Sequence, residues 1–159
     1  MPEAPRHRWT MWSQTVRRGV PPPKVPVMTS IPQSHRDLLG EQFLTLGTIS
    51  ASGSPHLSVV WFLAEGETIK MSLNTARQKV KNLLRNPAAS VIITGTPPYR
   101  YVEVRGEAEI TPDDDYEFAD QVGAKYNADL RTMDKPGDKR VVVTIRPNRV
   151  TTWGGAAES

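Results

Sequence analysis

The chain predicts a small, mainly β barrel of antiparallel strands with a few helices, and three observations lead there. The elements read in the order helix, three strands, helix, two strands, helix, two strands, and most strand-to-strand links are short turns. A parallel doubly wound sheet would need a crossover helix after nearly every strand. Segments 43–50 and 99–110 alternate apolar with polar or small residues, the period of a half-buried strand. At 159 residues the chain is long enough for one domain with a sizeable core and short for two.

Residues 1–27 are rich in Pro and Arg, with Trp9, Met11 and Trp12 as their strong hydrophobes, and show neither strand nor helix period. They read as a basic, flexible N-terminal arm ahead of a domain at 28–159. Two other readings stay open: Met28 is the true start, or Trp9 and Trp12 dock on the body.

From Ser34, Ser-His-Arg-Asp predicts a short helix with Ser34 as N-cap, Asp37 in the capping-box position and an end near Gly40. A strand over 43–50, a turn at 51–54 and a second strand over 56–64 form a hairpin. The centre of that second strand, 57–63, is apolar on both faces, which predicts cover on both sides. A third strand over 68–73 runs through a polar turn into a helix over 76–85, ended by Asn86-Pro87. Val80, Leu83 and Leu84 sit at i, i+3 and i+4, predicting one buried face with Lys81 and Arg85 outside. Strands over 90–94 and 99–110 flank a turn at 95–98. Thr111-Pro112-Asp113-Asp114-Asp115 predicts a helix start, with a Thr cap, an early Pro and acids at the positive dipole end. That helix should reach Tyr126, followed by a polar loop over 127–138, a buried strand over 140–146 and a last strand over 150–153.

Composition removes several kinds of chemistry. With no cysteine there is no disulfide, thiolate nucleophile or Cys-ligated metal, and His7, His35 and His56 are too scattered for a ligand cluster. The formal charge of +3 is located in the arm, where Arg6, Arg8, Arg17, Arg18 and Lys24 face Glu3 alone. The remainder is nearly neutral, so no nucleic-acid partner is expected for the domain. No apolar run of 18 or more residues occurs, so no membrane span is expected. Arg17-Arg18 is followed by a Gly-Val pair and three prolines rather than an apolar stretch, and the expected location is cytoplasmic.

Gly-x-Ser-x-Gly, P-loop and Gly-x-Gly-x-x-Gly motifs are absent. Any difficult chemical step would therefore belong to an organic cofactor. The best candidate for holding one is the strand-to-helix turn at 71–79. There Ser72, Asn74 and Thr75 offer hydrogen-bond donors, Arg77 and Lys79 offer charge, and a helix start leaves N–H groups unpaired. On an established helix, positions two apart point about 200° from each other. Arg77 and Lys79 converge only if Arg77 still lies in the turn. The alternative is that both are solvated surface charges. Trp61 is either core, interface or cofactor contact, and Tyr99, Arg100 and Tyr101 are either a patch for a flat ring or phosphate or an ordinary strand start. Trp153 before two glycines is a lid or a hydrophobic plug.

Three stretches carry a family resemblance: Leu46-Gly-Thr-Ile-Ser-Ala-Ser-Gly-Ser-Pro-His56 leading into Val59-Val-Trp-Phe62; Ala76-Arg-Gln-Lys-Val-Lys-Asn-Leu-Leu-Arg-Asn-Pro87; and Tyr101-Val-Glu-Val-Arg-Gly-Glu-Ala-Glu109. Together, over about 34–153, they resemble the pyridoxamine 5'-phosphate oxidase-like split β-barrel (FMN-binding-like) superfamily, and more closely its actinobacterial flavin- and deazaflavin-dependent oxidoreductases. The resemblance implies a homodimer with the cofactor, coenzyme F-420 or alternatively FMN, in clefts between subunits. It implies that Ser72, Arg77 and Lys79 hold the phosphate and tail, and that Leu46, Gly47, Thr48 and Ile49 lie beside the ring. Val59, Val60 and Trp61 would lie near ring and substrate, Tyr99, Arg100 and Tyr101 would approach from the fifth strand, and Arg140 and Trp153 would contribute from the partner subunit. A polyglutamate tail would suit the basic helix, with Lys81 and Arg85 near the exit. The implied activity is hydride transfer from the reduced deazaflavin to an activated C=C or C=N bond. An FMN oxidoreductase, or a flavin-, deazaflavin- or haem-binding protein without turnover, are the other readings.

Overall fold

The computed structural model describes residues 27–96 and 99–155. The arm at 1–27 therefore falls outside the described residues except for Val27, as do Pro97 and Pro98 of the turn at 95–98. A 3-10 helix, Gln33–Gly40, precedes β1 (Leu44–Ile49), β2 (Pro55–Val60), β3 (Leu63–Glu65) and β4 (Thr68–Asn74). Helix α1 (Gln78–Arg85) leads to β5 (Ala88–Thr94) and the long β6 (Tyr101–Pro112). Helix α2 (Glu117–Tyr126), a 3-10 turn at Leu130–Met133, β7 (Arg140–Ile145) and β8 (Arg149–Trp153) complete the order.

Every strand pairing is antiparallel, and the strands run β2-β1-β5-β6-β7-β4-β3, with β8 beside β6. β6 joins two half-sheets. Its residues 101–107 pair with β5, its residues 101–105 with β8, and its residues 108–112 with β7. β7 and β8 thus lie end to end along one side of β6, broken at Arg146-Pro147-Asn148. Pro cannot donate to a ladder, so the break falls there. Opposite it stands Gly106, where a Cβ would come within 2.5 Å of the Arg146 carbonyl oxygen. The two half-sheets fold over one core in which Leu46, Phe62, Ile69, Met71, Val91 and Val143 are fully enclosed. This is the split antiparallel barrel that the resemblance implies.

Several local expectations change. The second strand is interrupted: β2 stops at Val60, Trp61-Phe62 carries the chain across the split, and β3 pairs with β4 instead. β2 is not covered on both faces either, for Leu57 and Val59 are 69% and 67% exposed. The predicted capping box at Ser34 is not formed. Ser34 Oγ bonds His35 Nδ1, and Asp37 pairs with Arg100. On α1, Val80 and Leu83 are buried as expected, yet Leu84 is 64% exposed and Asn82 takes the inward position. Asn82 can be buried because its Nδ2 donates to Thr48 Oγ1 on β1, while its Oδ1 accepts from Gln78 and Arg85.

α2 starts later than the Thr-Pro-Asp signal predicts, at Glu117. Thr111 and Pro112 still extend β6, opposite Val142 and Val141. The capping work falls to Asp113, whose two carboxylate oxygens accept from the N–H groups of Phe118 and Ala119. Tyr116 sits between in a left-handed conformation, φ 59°. Among the described residues, no helix is long and apolar enough to cross a membrane.

Candidate functional site

Where β2 and β4 diverge at the split, a cleft of about 240 Å³ opens between the two half-sheets. One wall is Val59, Val60 and Trp61, at the point where the chain leaves β2. The facing wall is Ser72, Leu73 and Asn74, at the end of β4, together with Arg77 and Lys79 from the start of α1. Val122 of α2, Leu130 and Met133 of the 3-10 turn and Arg140 of β7 form the floor. Among the described residues, no carboxylate lines the cleft.

Arg77 is the N-cap of α1, still extended at φ −75° and ψ 140°, while Lys79 lies in the first helical turn. The two cations therefore reach one cleft, as the turn geometry requires. No side chain caps the helix start, which leaves first-turn N–H groups uncapped toward the same side. Among the described residues, neither Arg77 nor Lys79 has an acidic partner. Burial, and secondly the Arg77 charge, push the Lys79 ammonium below the ordinary lysine value. Lys79, partly buried beside exposed Arg77 and without a counter-charge among the described residues, is unfavourable as a cation, and a bound anion would relieve it.

Arg140 lines the cleft but is already paired. Its Nε and Nη2 donate to the two oxygens of Asp134, each at 2.8 Å, and Nη2 also reaches the Leu130 carbonyl at 3.1 Å. Nη1 donates to Ser72 Oγ at 3.3 Å. Burial works to raise the Asp134 carboxyl, but hydrogen bonds from Arg140, Asn74 and Tyr116 hold it below the ordinary aspartate range.

Trp61 stacks flat on Tyr126, with ring centroids 4.4 Å apart and planes 3° from parallel. The Tyr126 hydroxyl donates to the Gln42 carbonyl at 2.7 Å and accepts from Phe62 N–H at 3.0 Å. Lys125 donates to the carbonyls of Glu41 and Phe62. The aromatic wall is thereby fixed in position by α2.

Of the residues singled out from sequence, Val59, Val60, Trp61, Ser72, Arg77, Lys79 and Arg140 are brought together here. The others are not. Leu46 is wholly in the core, and Thr48 is buried with its hydroxyl bound to Asn82. Gly47 and Tyr101 line a separate groove of about 280 Å³ with Leu57, Ser90 and Ile92. Ile49 is half-buried at the end of β1, where it pairs with Pro55. Arg100 turns inward to clamp the 3-10 helix Gln33–Gly40. It donates to both oxygens of Asp37, at 2.8 and 2.9 Å, and to the carbonyls of Ser34 and Gly155. Tyr99 is exposed, and so is Trp153, whose carbonyl accepts from His35 Nε2.

Sequence reasoning missed Asp134, Tyr126 and the floor residues Leu130 and Met133. The last two carried a signal, being apolar residues three apart inside a polar loop. A larger depression of about 440 Å³ beside α2 has Arg131 as its cation, and that residue is bound to Asp120 and Asp129.

Comparison with known proteins agrees with the fold. The chain is 32% identical to an F-420 reductase over 76% of this chain and 98% of that one, with a TM-score of 0.67. It is 25% identical to a conserved hypothetical protein from Mycobacterium tuberculosis over 80% of this chain and 86% of that one, with a TM-score of 0.65. The heme storage protein HutZ from Vibrio cholerae shares the fold at 16% identity, over 80% and 97% of the two chains, with a TM-score of 0.64. The family model described as pyridoxamine 5'-phosphate oxidase matches residues 31–154, which is most of the chain, so this protein belongs to the pyridoxamine 5'-phosphate oxidase family.

Proposed function

We propose that the protein is an oxidoreductase using coenzyme F-420, which transfers hydride from the reduced deazaflavin to an activated C=C or C=N bond of a small molecule. The observation that carries this reading is the uncompensated Arg77–Lys79 pair facing the aromatic wall of Trp61 across one cleft, in a chain 32% identical to an F-420 reductase. The donor set fits a phosphate-bearing flat ring: cations and a hydroxyl on one side, an aromatic and aliphatic wall on the other, and no carboxylate among the described lining residues to repel an anion. When bound, the cofactor supplies the hydride.

The chain's residues supply the rest. Arg77, Lys79 and the Ser72 hydroxyl hold the phosphate, with charge-assisted bonds that fix position as well as affinity. Trp61, held flat by Tyr126, with Val59 and Val60, confines the ring, and buried Val122 and Leu130 keep water from the floor. Exposed Lys81 and, at the end of α1, Arg85 extend the positive charge outward, which suits a polyglutamate tail.

At about 240 Å³ the cleft is smaller than the usual ligand site of roughly 300–1,000 Å³. A second copy of the chain would enlarge it. The exposed Leu57 and Val59 beside the groove at Gly47 and Tyr101 offer an apolar face for that copy. On this reading Leu57→Glu gives a monomer by light scattering, whereas an unchanged particle mass removes this face from the assembly.

FMN is the second reading, favoured by the family match, because the same phosphate grip serves it. Titration with each cofactor separates the two. Arg77→Ala combined with Lys79→Ala should weaken the cofactor that binds by at least about 30-fold, since two charge-assisted contacts are worth ~2 kcal/mol or more. A loss within about twofold would refute the anion site.

A further inference from the structure

We propose that Asp134 is a positioning residue for the cofactor's anion grip, acting through Asn74 and Arg140 without touching the ligand. This rests on the anion-site reading above. Asp134 and Arg140 side chains are each 5% exposed, and the carboxylate is saturated. Oδ1 accepts from Asn74 Nδ2 and Arg140 Nη2, and Oδ2 accepts from Arg140 Nε and the Tyr116 hydroxyl, all four at 2.8 Å. A buried ion pair of this kind adds little net stability compared with apolar packing, so what it holds in place matters more than its strength.

It holds the turn that carries the cations. The Asn74 amide donates to Asp134 and, at 2.7 Å, to Asp138, while its Oδ1 accepts from Ala76 N–H at 2.7 Å and its carbonyl accepts from Arg77 N–H at 3.0 Å. One end of the Asn74 side chain thus closes the turn into α1, and the other end is anchored to Asp134. Without that anchor only the Asp138 bond still orients the amide, and the Asx bond that closes the turn is loosened. Asp134 acts on the second donor too. Oriented by the carboxylate, Arg140 donates to Ser72 Oγ, which occupies a lone pair and leaves the Ser72 hydroxyl hydrogen available to an anion. The same pairing neutralises Arg140, so the cleft's free charge stays at Arg77 and Lys79.

The test is a double-mutant cycle read by cofactor titration, with FMN and coenzyme F-420 as probes. Asp134→Asn and Asn74→Ala are each made in the native chain and in Arg77→Ala. Positioning predicts at least about a tenfold loss of affinity in the native background and a loss at least about threefold smaller in Arg77→Ala, because one of the positioned groups is already gone while Lys79 and Ser72 remain. Equal losses in both backgrounds, as general loosening or a direct Asn74 contact would give, overturn the proposal, and so does unchanged affinity. If Asp134→Asn fails to fold, Asn74→Ala decides alone by the same criterion. Amide hydrogen exchange at 75–79 in the cofactor-free protein should quicken in both variants, and unchanged exchange also overturns the idea. If the native chain binds neither probe, the anion site itself is refuted and this proposal falls with it; native binding with additive losses refutes only the role of Asp134.

Discussion

Thr48 separates a cofactor contact from a structural contact. The resemblance puts it beside the ring, whereas the residue is 1% exposed and its hydroxyl accepts from Asn82 Nδ2 at 3.0 Å. Thr48→Val keeps the shape and removes the acceptor, leaving a donor on fully buried Asn82 without its partner. An unsatisfied buried amide donor costs about 1–3 kcal/mol. For a domain of this size a loss near 2 kcal/mol lowers Tm by about 5–7 °C. Asn82→Ala should cost more, since it also ends the bonds to Gln78 and Arg85 and opens a small void. In the double variant both ends of the bond are gone, so the two effects should fall short of additivity by about 1 kcal/mol. Urea unfolding at constant m measures all four corners of the cycle. Cofactor affinity should stay within about twofold in Thr48→Val. Additive stabilities, or a roughly tenfold loss of affinity with native stability, would show that the hydroxyl serves the ligand and not α1.

Three more outcomes follow from particular contacts. Gly106→Ala places a Cβ against the Arg146 carbonyl and forces the β7–β8 break apart, so thermal melting should show a loss of at least about 2 kcal/mol; a native melting curve would mean the break is soft. Tyr126→Phe keeps the stack on Trp61 but strips the acceptor from Phe62 N–H, and should cost about 1–2 kcal/mol by chemical denaturation while leaving cofactor affinity nearly intact. Folding lowers the Lys79 pKa, so its penalty applies in full below the folded value and is relieved as pH rises through it toward the ordinary lysine value. Lys79→Met should therefore be more stable than the native chain at neutral pH without cofactor, with the difference shrinking in alkali. A difference independent of pH would count against desolvation as the cause.

Strand existence was legible because alternation and turn residues mark it locally, as at 43–50 and 140–146. What stayed hidden depends on partners distant in sequence. Nothing near Asn82 says that Thr48, 34 residues earlier, will satisfy it, so Leu84 looked like the better inward residue. The Thr111-Pro112 signal was sound in isolation, but Val141 and Val142 paired with those residues first and left Asp113 to cap α2. The apolar run at 57–63 is ambiguous in the same way: a strand apolar on both faces can be covered by its own chain or by another, and Leu57 and Val59 are uncovered here. In the candidate site, the turn at Ser72, Arg77 and Lys79 was readable as a local motif, whereas the wall at Val59, Val60 and Trp61 was implied only by the family resemblance. Asp134 was not, because its role exists only once β4, β7 and the loop before β7 converge.

Four of the cations singled out from sequence, Arg77, Lys79, Arg100 and Arg140, show what a local reading cannot separate. Arg100 and Arg140 sit on or beside strands, are buried, and each faces a carboxylate at 2.8 Å. Burial requires such a partner, since an unpaired guanidinium in the interior would be far costlier than any contact it made. Both are therefore committed before any ligand arrives, and adding an anion at either would mean competing with Asp37 or Asp134. Arg77 and Lys79 stand at a helix start without an acidic partner among the described residues, Arg77 exposed and Lys79 enclosed enough for burial to lower its pKa. That intermediate position separates a binding cation from a structural one: uncompensated in the free protein, it has the most to gain from a phosphate. On the proposed function the anion site is the turn at 72–79, with Arg140 as its brace, whereas Arg100 is held by Asp37 and the 3-10 helix.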